Sequence, residues 1–262
     1  MRAAPAPDDP RQTPEFNMRR LTLALLAATA TAIATPALAA GGIGLQGQNP
    51  LGESTDAFPR IVSPAGPKIE RINQALTRAD ARAKKAMKDC GKAPNAYERA
   101  ITAPMTGEPF LSLIASDFAE CGGAHPSIGQ LALTYDLGTG RPISWADYLP
   151  ADLIQPEELI DAGDGSQIGA TRSPALLDFY RAAAKAQRAD RDCDDILDGE
   201  LSLVLWIDAK QQGVAIAPTN LPHVVQACGE TVIMKTDELR KRGAKPALTN
   251  AIDAAKKARN YQ

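Results

Sequence analysis

Four cysteines, Cys90, Cys121, Cys193 and Cys228, placed downstream of an export signal restrict this chain more than anything else in it. Met18-Arg19-Arg20 is a basic start, and Leu21 through Ile33 is an apolar run without a charge. Thr35-Pro36-Ala37-Leu38-Ala39-Ala40 then breaks the helix and offers the small-x-small pattern of a cleavage site behind Ala39. The run falls short of the roughly 20 residues a bilayer span takes, so no stable membrane span is expected after cleavage. Residues 1–17 read as an upstream extension, residues 18–39 as the signal peptide, and the destination as periplasmic or secreted. An even number of cysteines in an exported chain implies disulfides. Three connectivities are possible, and the expected one is Cys90–Cys121 with Cys193–Cys228. Each would close a loop of roughly thirty residues, for which chain entropy gives about 3–4 kcal/mol. Paired C-x-x-C spacing is missing, so zinc is not expected.

Residues 40–67 are rich in Gly, Pro and small polar residues, a composition that reads as a flexible leader. From Pro67, apolar residues recur at Ile69, Ile72, Leu76, Ala79, Ala83, Met87 and Cys90, steps of three and four that mark one stripe of a long helix. Gly91 is its stop. Tyr97–Thr106 and Phe110–Cys121 flank Thr106-Gly107-Glu108-Pro109 as a hairpin. Leu131, Leu133, Tyr135 and Leu137 alternate with polar or small residues, as a half-buried strand does. Residues 150–172 read as a loop, and Ser173-Pro174 as the start of a second, mid-chain helix with Ser173 as its N-cap. Leu201–Ile207, Val214–Ala217 and Val224–Met234 read as strands, with Trp206 on the mixed face of its strand. Thr236–Leu239 reads as a helical turn, and residues 241–262 as a polar tail or helix. Strands in consecutive runs predict an α+β fold, a mostly antiparallel sheet packed by a long N-terminal helix and the mid-chain helix, with two disulfides.

Charge excludes one class of partner. Residues 1–39 hold 4 basic and 3 acidic residues, and the remainder carries 25 basic against 28 acidic, a formal −3. That lacks the basic excess a nucleic-acid binder uses, so no nucleic-acid partner is expected.

The stretch from Phe110 to Leu149 carries a further pattern. It has a Leu-Ser-Leu strand, the block Gly122-Gly123-Ala124-His125-Pro126, a strand ending Tyr135-Asp136-Leu137, the turn Gly138-Thr139-Gly140 and a short acidic helix at Trp145–Leu149. This pattern resembles the extracytoplasmic domain of the RsiV-type anti-sigma factors, a domain also found beside some peptidoglycan deacetylases. The resemblance spans roughly residues 68–240. It implies an α+β domain outside the cytoplasmic membrane and, in the RsiV proteins, recognition of lysozyme. Two departures limit what it implies: only 17 residues precede the basic start at Met18, too few for a sigma-binding domain, and the apolar run carries a cleavage signal, so transmembrane signalling has no carrier. Deacetylation is not expected either, because its catalytic domain is a separate unit. A soluble recognition module is what remains, with a basic protein such as lysozyme, or peptidoglycan, as partner.

The candidate sites follow. Gly122 and Gly123 permit a kink that aims His125, a contact or proton-carrying group; the competing role for His125 is a hydrogen-bonding spacer. His223 is the other histidine, but 98 positions separate the two and no metal is expected. Asp192, Asp194 and Asp195 sit in an acidic run from Asp190 to Glu200 that departs from a calcium loop at its sixth and twelfth positions, and that would steer a basic partner or simply be a solvated loop. Trp206 would stack on a sugar, anchor a protein or lie buried. No G-x-S-x-G, H-E-x-x-H or P-loop occurs, and no cofactor is expected. Three functional classes stay open: a non-catalytic binding module, an envelope hydrolase working through carboxylates, and a structural envelope protein.

Overall fold

The computed structural model describes residues 42–91, 96–123, 125–154, 158–161, 167–188, 192–219 and 221–262. The signal peptide and the upstream extension lie outside the described residues. The stretch expected as a flexible leader is, in its described part, folded. Strands β1 (Gly44–Gln46) and β2 (Arg60–Ser63) pair antiparallel. Ile43, Phe58 and Ile61 are buried, Phe58 completely. Its glycines and prolines hide three apolar anchors too widely spaced to show a period.

Helix α1 (Pro67–Cys90) follows these strands, so it is not the first element of the fold. Ile69, Ile72, Leu76, Ala79, Ala83 and Cys90 form its buried face, with Pro67 at its first turn. Asp80 is buried beside them, an exception to the apolar stripe. Its Oδ1 accepts from the Phe58 N–H at 3.0 Å and its Oδ2 from Arg60 Nη2 at 2.7 Å, which binds the β2 segment to the helix.

Strands β3 (Ala96–Met105), β4 (Phe110–Glu120), β5 (Ser127–Asp136) and the two-residue β6 (Arg141–Pro142) form one antiparallel sheet in that order. The expected hairpin turn at Thr106–Pro109 joins β3 to β4, and Cys90 is bonded to Cys121, which ties the end of α1 to the far end of β4. Residues 150–172 contain a hairpin rather than loop alone, β7 (Glu158–Asp161) with β8 (Gln167–Ala170). Helix α2 (Pro174–Gln187) starts where expected, but Ser173 does not cap it: the hydroxyl donates to the Asp152 carbonyl instead. The short α3 (Asp194–Asp198) leads to a second antiparallel sheet, β9 (Leu203–Asp208), β10 (Gly213–Pro218) and β11 (Val232–Lys235), in the order β11-β10-β9. Residues His223–Cys228 form a 3-10 turn after Pro222 where a strand is expected from Val224, and Cys228 is bonded to Cys193. The β-branched pair Val224-Val225 favours a strand locally, but the tertiary bond at Cys228 wins. Helices α4 (Thr236–Lys241) and α5 (Pro246–Ala258) close the chain.

Two apolar cores sandwich the second sheet. β9 sends Leu203, Leu205 and Ile207 into a core shared with α2 and α5. It sends Val204 and Trp206 into the other, with the α1 stripe, Leu111, Leu113 and Tyr135. Of the roles open to Trp206, this leaves burial: it is 5% exposed. The same covering buries Thr134, so β5 at that end is not half-buried but covered on both faces. The tail expected to be polar also joins the core through Leu248, Ile252 and Ala255. Its last residues run along β3: Thr106 N donates to Asn260 O and Gln262 N to Ala103 O, each at 2.8 Å. The fold therefore extends over 42–262 rather than 68–240.

Candidate functional site: a cleft at the outer edge of β5

Register places Arg99, Asp117 and Gly129 side by side across β3, β4 and β5, and Tyr97, Ala119 and Ser127 in the next row on the same face. Arg99 is the unusual member. Its side chain is wholly buried, with the guanidinium carbon 4.7 Å from the centre of the Phe58 ring and Nε 3.5 Å from Asp117 Oδ1. None of its three guanidinium nitrogens makes a hydrogen bond among the described residues. A charge removed from water survives only beside an opposite charge, and here the Phe58 face and Asp117 carry that burden. Asp117 retains 17% of its side-chain surface. Next to it Gly129 has no side chain, so the row is open between the carboxylate and the sheet edge.

A cleft of about 600 Å³ lies at this edge. Four consecutive residues, Ser127, Ile128, Gly129 and Gln130, line it. Because side chains of a strand alternate between faces, a cavity lined by consecutive residues must wrap round the strand edge. One flank holds Tyr97, Asp117 and Ala86; the opposite wall is the end of β10 with Thr219, Leu221, Gln226 and Thr231. Chemically this is a lining of hydroxyls, carboxamides and apolar carbon with a single paired carboxylate.

The edge itself carries a specific clamp. The Gln226 carboxamide accepts from the Ile128 N–H at 3.1 Å and donates to the Ile128 carbonyl at 3.0 Å, as a peptide group of a neighbouring strand would. Further along, Ile143 N donates to Thr134 O. With the two-residue period of an antiparallel strand, the backbone groups of Gln130 and Ala132 point the same way, between these two contacts. Among the described residues none bonds to them on that side.

The residues singled out by sequence are dispersed. Gly122 takes φ 84°, a conformation that suits glycine, and turns the chain out of β4. Gly123 and His125 are solvent-exposed in this connection. Asp192 and Asp195 are exposed and Asp194 half-buried around Cys193. The acidic run is partly matched from α2: Lys185 Nζ lies 2.9 Å from Asp198 Oδ1, and Arg181 donates to the carbonyls of Leu197 and Gly199. Trp206 is interior, so the three candidates do not line one surface. The side chain of His223 lies outside the described residues. Sequence reasoning missed Arg99, Asp117 and Gln226. For the first two a signal existed, charges of both signs within the strands of an expected hairpin, Arg99 beside Glu98 in one and Asp117 in the other; for Gln226 there was none.

No protein-family model matches the chain, and no curated protein matches it. A crystal structure of a member of the DUF3298 family from Bacteroides fragilis is similar over 71% of this chain and 69% of that chain, at 12% identity and a TM-score of 0.44. A likeness of that size carries no inference about family or chemistry.

Proposed function

We propose that this chain acts outside the cytoplasm as a non-catalytic recognition module, and that the cleft beside β5 receives a segment of a basic protein, of the kind a lysozyme presents. The observation that carries this reading is the cleft's lining: backbone edge, carboxamides and hydroxyls gathered round Asp117. Such a surface matches a polypeptide better than a small apolar ligand, whose sites are mostly hydrophobic. Two disulfides fit an oxidising compartment. No helix among the described residues is long and apolar enough to cross a membrane. The resemblance of the Gly122–Pro126 region to RsiV-type domains supports the same class of partner, and the surplus of acidic residues favours encounter with a basic one.

Calorimetric titration of the exported protein with a lysozyme tests this. The expected result is saturable binding that weakens as salt rises. Heat from soluble peptidoglycan fragments, with none from lysozyme, would move the ligand to the cell wall. Release of sugars or peptides from purified wall would replace the reading with a hydrolase.

A further inference from the structure

The Gln226 contact shows what the β5 edge is built to hold. A carboxamide is the side-chain equivalent of a peptide group, and this one makes both bonds that the peptide of an added strand would make at Ile128. Two residues of edge continue in the same direction, Gln130 in the lining of the cleft and Ala132 beyond it. An added strand would find backbone partners there and place its side chains alternately on the two flanks. The side chain opposite Gly129 would share the row of Asp117 and Arg99. With no Gly129 side chain in between, a long cationic group reaches the Asp117 carboxylate from the side away from Arg99.

We propose that the outer edge of β5 is a strand-docking site, taking an extended segment of a protein partner with a lysine or arginine opposite Gly129. Gln226 acts as a latch that holds the edge until the segment takes over its bonds. This deepens the recognition reading above and rests on it. Exposed edges are commonly blunted by proline, charge or a covering segment. This chain covers the β3 edge with backbone, residues 54–56 bonding both groups of Arg99 and the last residues the end at Ala103 and Thr106, whereas among the described residues the β5 edge at Ile128 is met by one carboxamide.

The test uses the exported protein with both disulfides and, as probe, an acetylated and amidated heptapeptide alternating valine and threonine with lysine at its centre. Its binding is followed by amide chemical shifts. A twin N-methylated on the amides facing β5 cannot form the ladder. The expected result is a perturbation centred on Gln130 and Ala132, lost with the twin and weakened about tenfold or more by glutamate in place of lysine. Gln130→Pro, which removes a donor pointing away from β4, is expected to weaken the peptide to the same degree while the far-ultraviolet spectrum stays unchanged. Equal affinity of the N-methylated twin overturns the proposal, as does a perturbation elsewhere on the molecule. If lysozyme binds and the heptapeptide does not at millimolar concentration, strand docking falls while the recognition module stands. If neither binds, both fall.

Discussion

Two side-chain carboxamides in this molecule grip a strand in the same way, and their surroundings differ. Asn73 on α1 accepts from the Ile61 N–H at 2.9 Å and donates to the Ile61 carbonyl at 3.0 Å, closing the edge of β2. Gln226 does the same to Ile128 on β5. Ile61 is 3% exposed, whereas Ile128 is 59% exposed. At β2 the clamp is one part of a packed wall, with Phe58 beneath it and Asp80 beside it. At β5 it stands alone at the lip of a cleft. The same chemistry is thus a structural closure in one place and a removable one in the other. Burial decides which, because a peptide group cut off from water cannot find a substitute partner.

Mutation of the β2 wall gives the largest contrast. Phe58→Ala empties a fully buried site and strips the Arg99 guanidinium of its aromatic face. Chemical denaturation is expected to register a loss of about 3–5 kcal/mol. A loss below about 1 kcal/mol would mean that this wall yields as easily as the β5 lip, and the comparison would break.

The covered end of β5 supplies the next effect. Tyr135 packs among the α1 stripe and is 4% exposed. Burial pushes its hydroxyl from 10.0 up to about 12, against the opposing pull of Arg78 and Arg82. A raised folded-state value means that the native state keeps its proton where the unfolded chain has lost it. Its stabilising contribution is therefore complete below pH 10 and is lost as pH rises from there through about 12, on the order of 2–3 kcal/mol in all. Tyr135→Phe is expected to flatten the alkaline limb of a stability-versus-pH curve. An unchanged limb would show that the α1 face of β5 is no drier than its open end.

Sequence periodicity gave access to what is repeated, and the rest of the fold lies in what is not. The α1 stripe is six turns of the same instruction, and it ends at a cysteine, so both the helix and its staple to β4 could be read. The alternation of β5 was equally plain, but its second cover comes from β9 and β10, some seventy residues later, and no local pattern announces a facing sheet. No local pattern therefore decides between the accessible and the buried reading of Trp206. The segment from Ile43 to Ile61 was misread because its composition is that of a linker, while its three anchors act singly. The site was the least legible part. Its charged pair is joined only by strand register, and its latch is a glutamine in a 3-10 turn, recognisable only once Ile128 is seen beside it. His125 and the acidic run stand out in the sequence because polar residues cluster there, and exposure alone explains such clusters.

The third effect is Asn73→Ala. It leaves a donor and an acceptor of Ile61 without their partner in a part-buried setting, for which about 1–3 kcal/mol is expected. A thermal melt resolves a change of that size in a domain this long. Near-neutrality would show that water replaces the carboxamide at β2 as well.

Gln226→Ala is the mildest change and the most discriminating. The bonds it deletes are exposed ones, so water can replace the carboxamide at both Ile128 groups. The cost is expected to stay within about 0.5–1 kcal/mol, the usual net value of a solvent-accessible hydrogen bond. Hydrogen exchange reads the consequence locally. The Ile128 amide should lose protection while the amides of Leu131 and Leu133, which belong to the β4 ladder, keep theirs. If instead protection falls along the whole of β5, the glutamine is holding the strand in the sheet, and it is a structural closure of the Asn73 kind. A local loss alone leaves the edge intact and uncovered, the condition in which a second strand meets no competitor for Ile128.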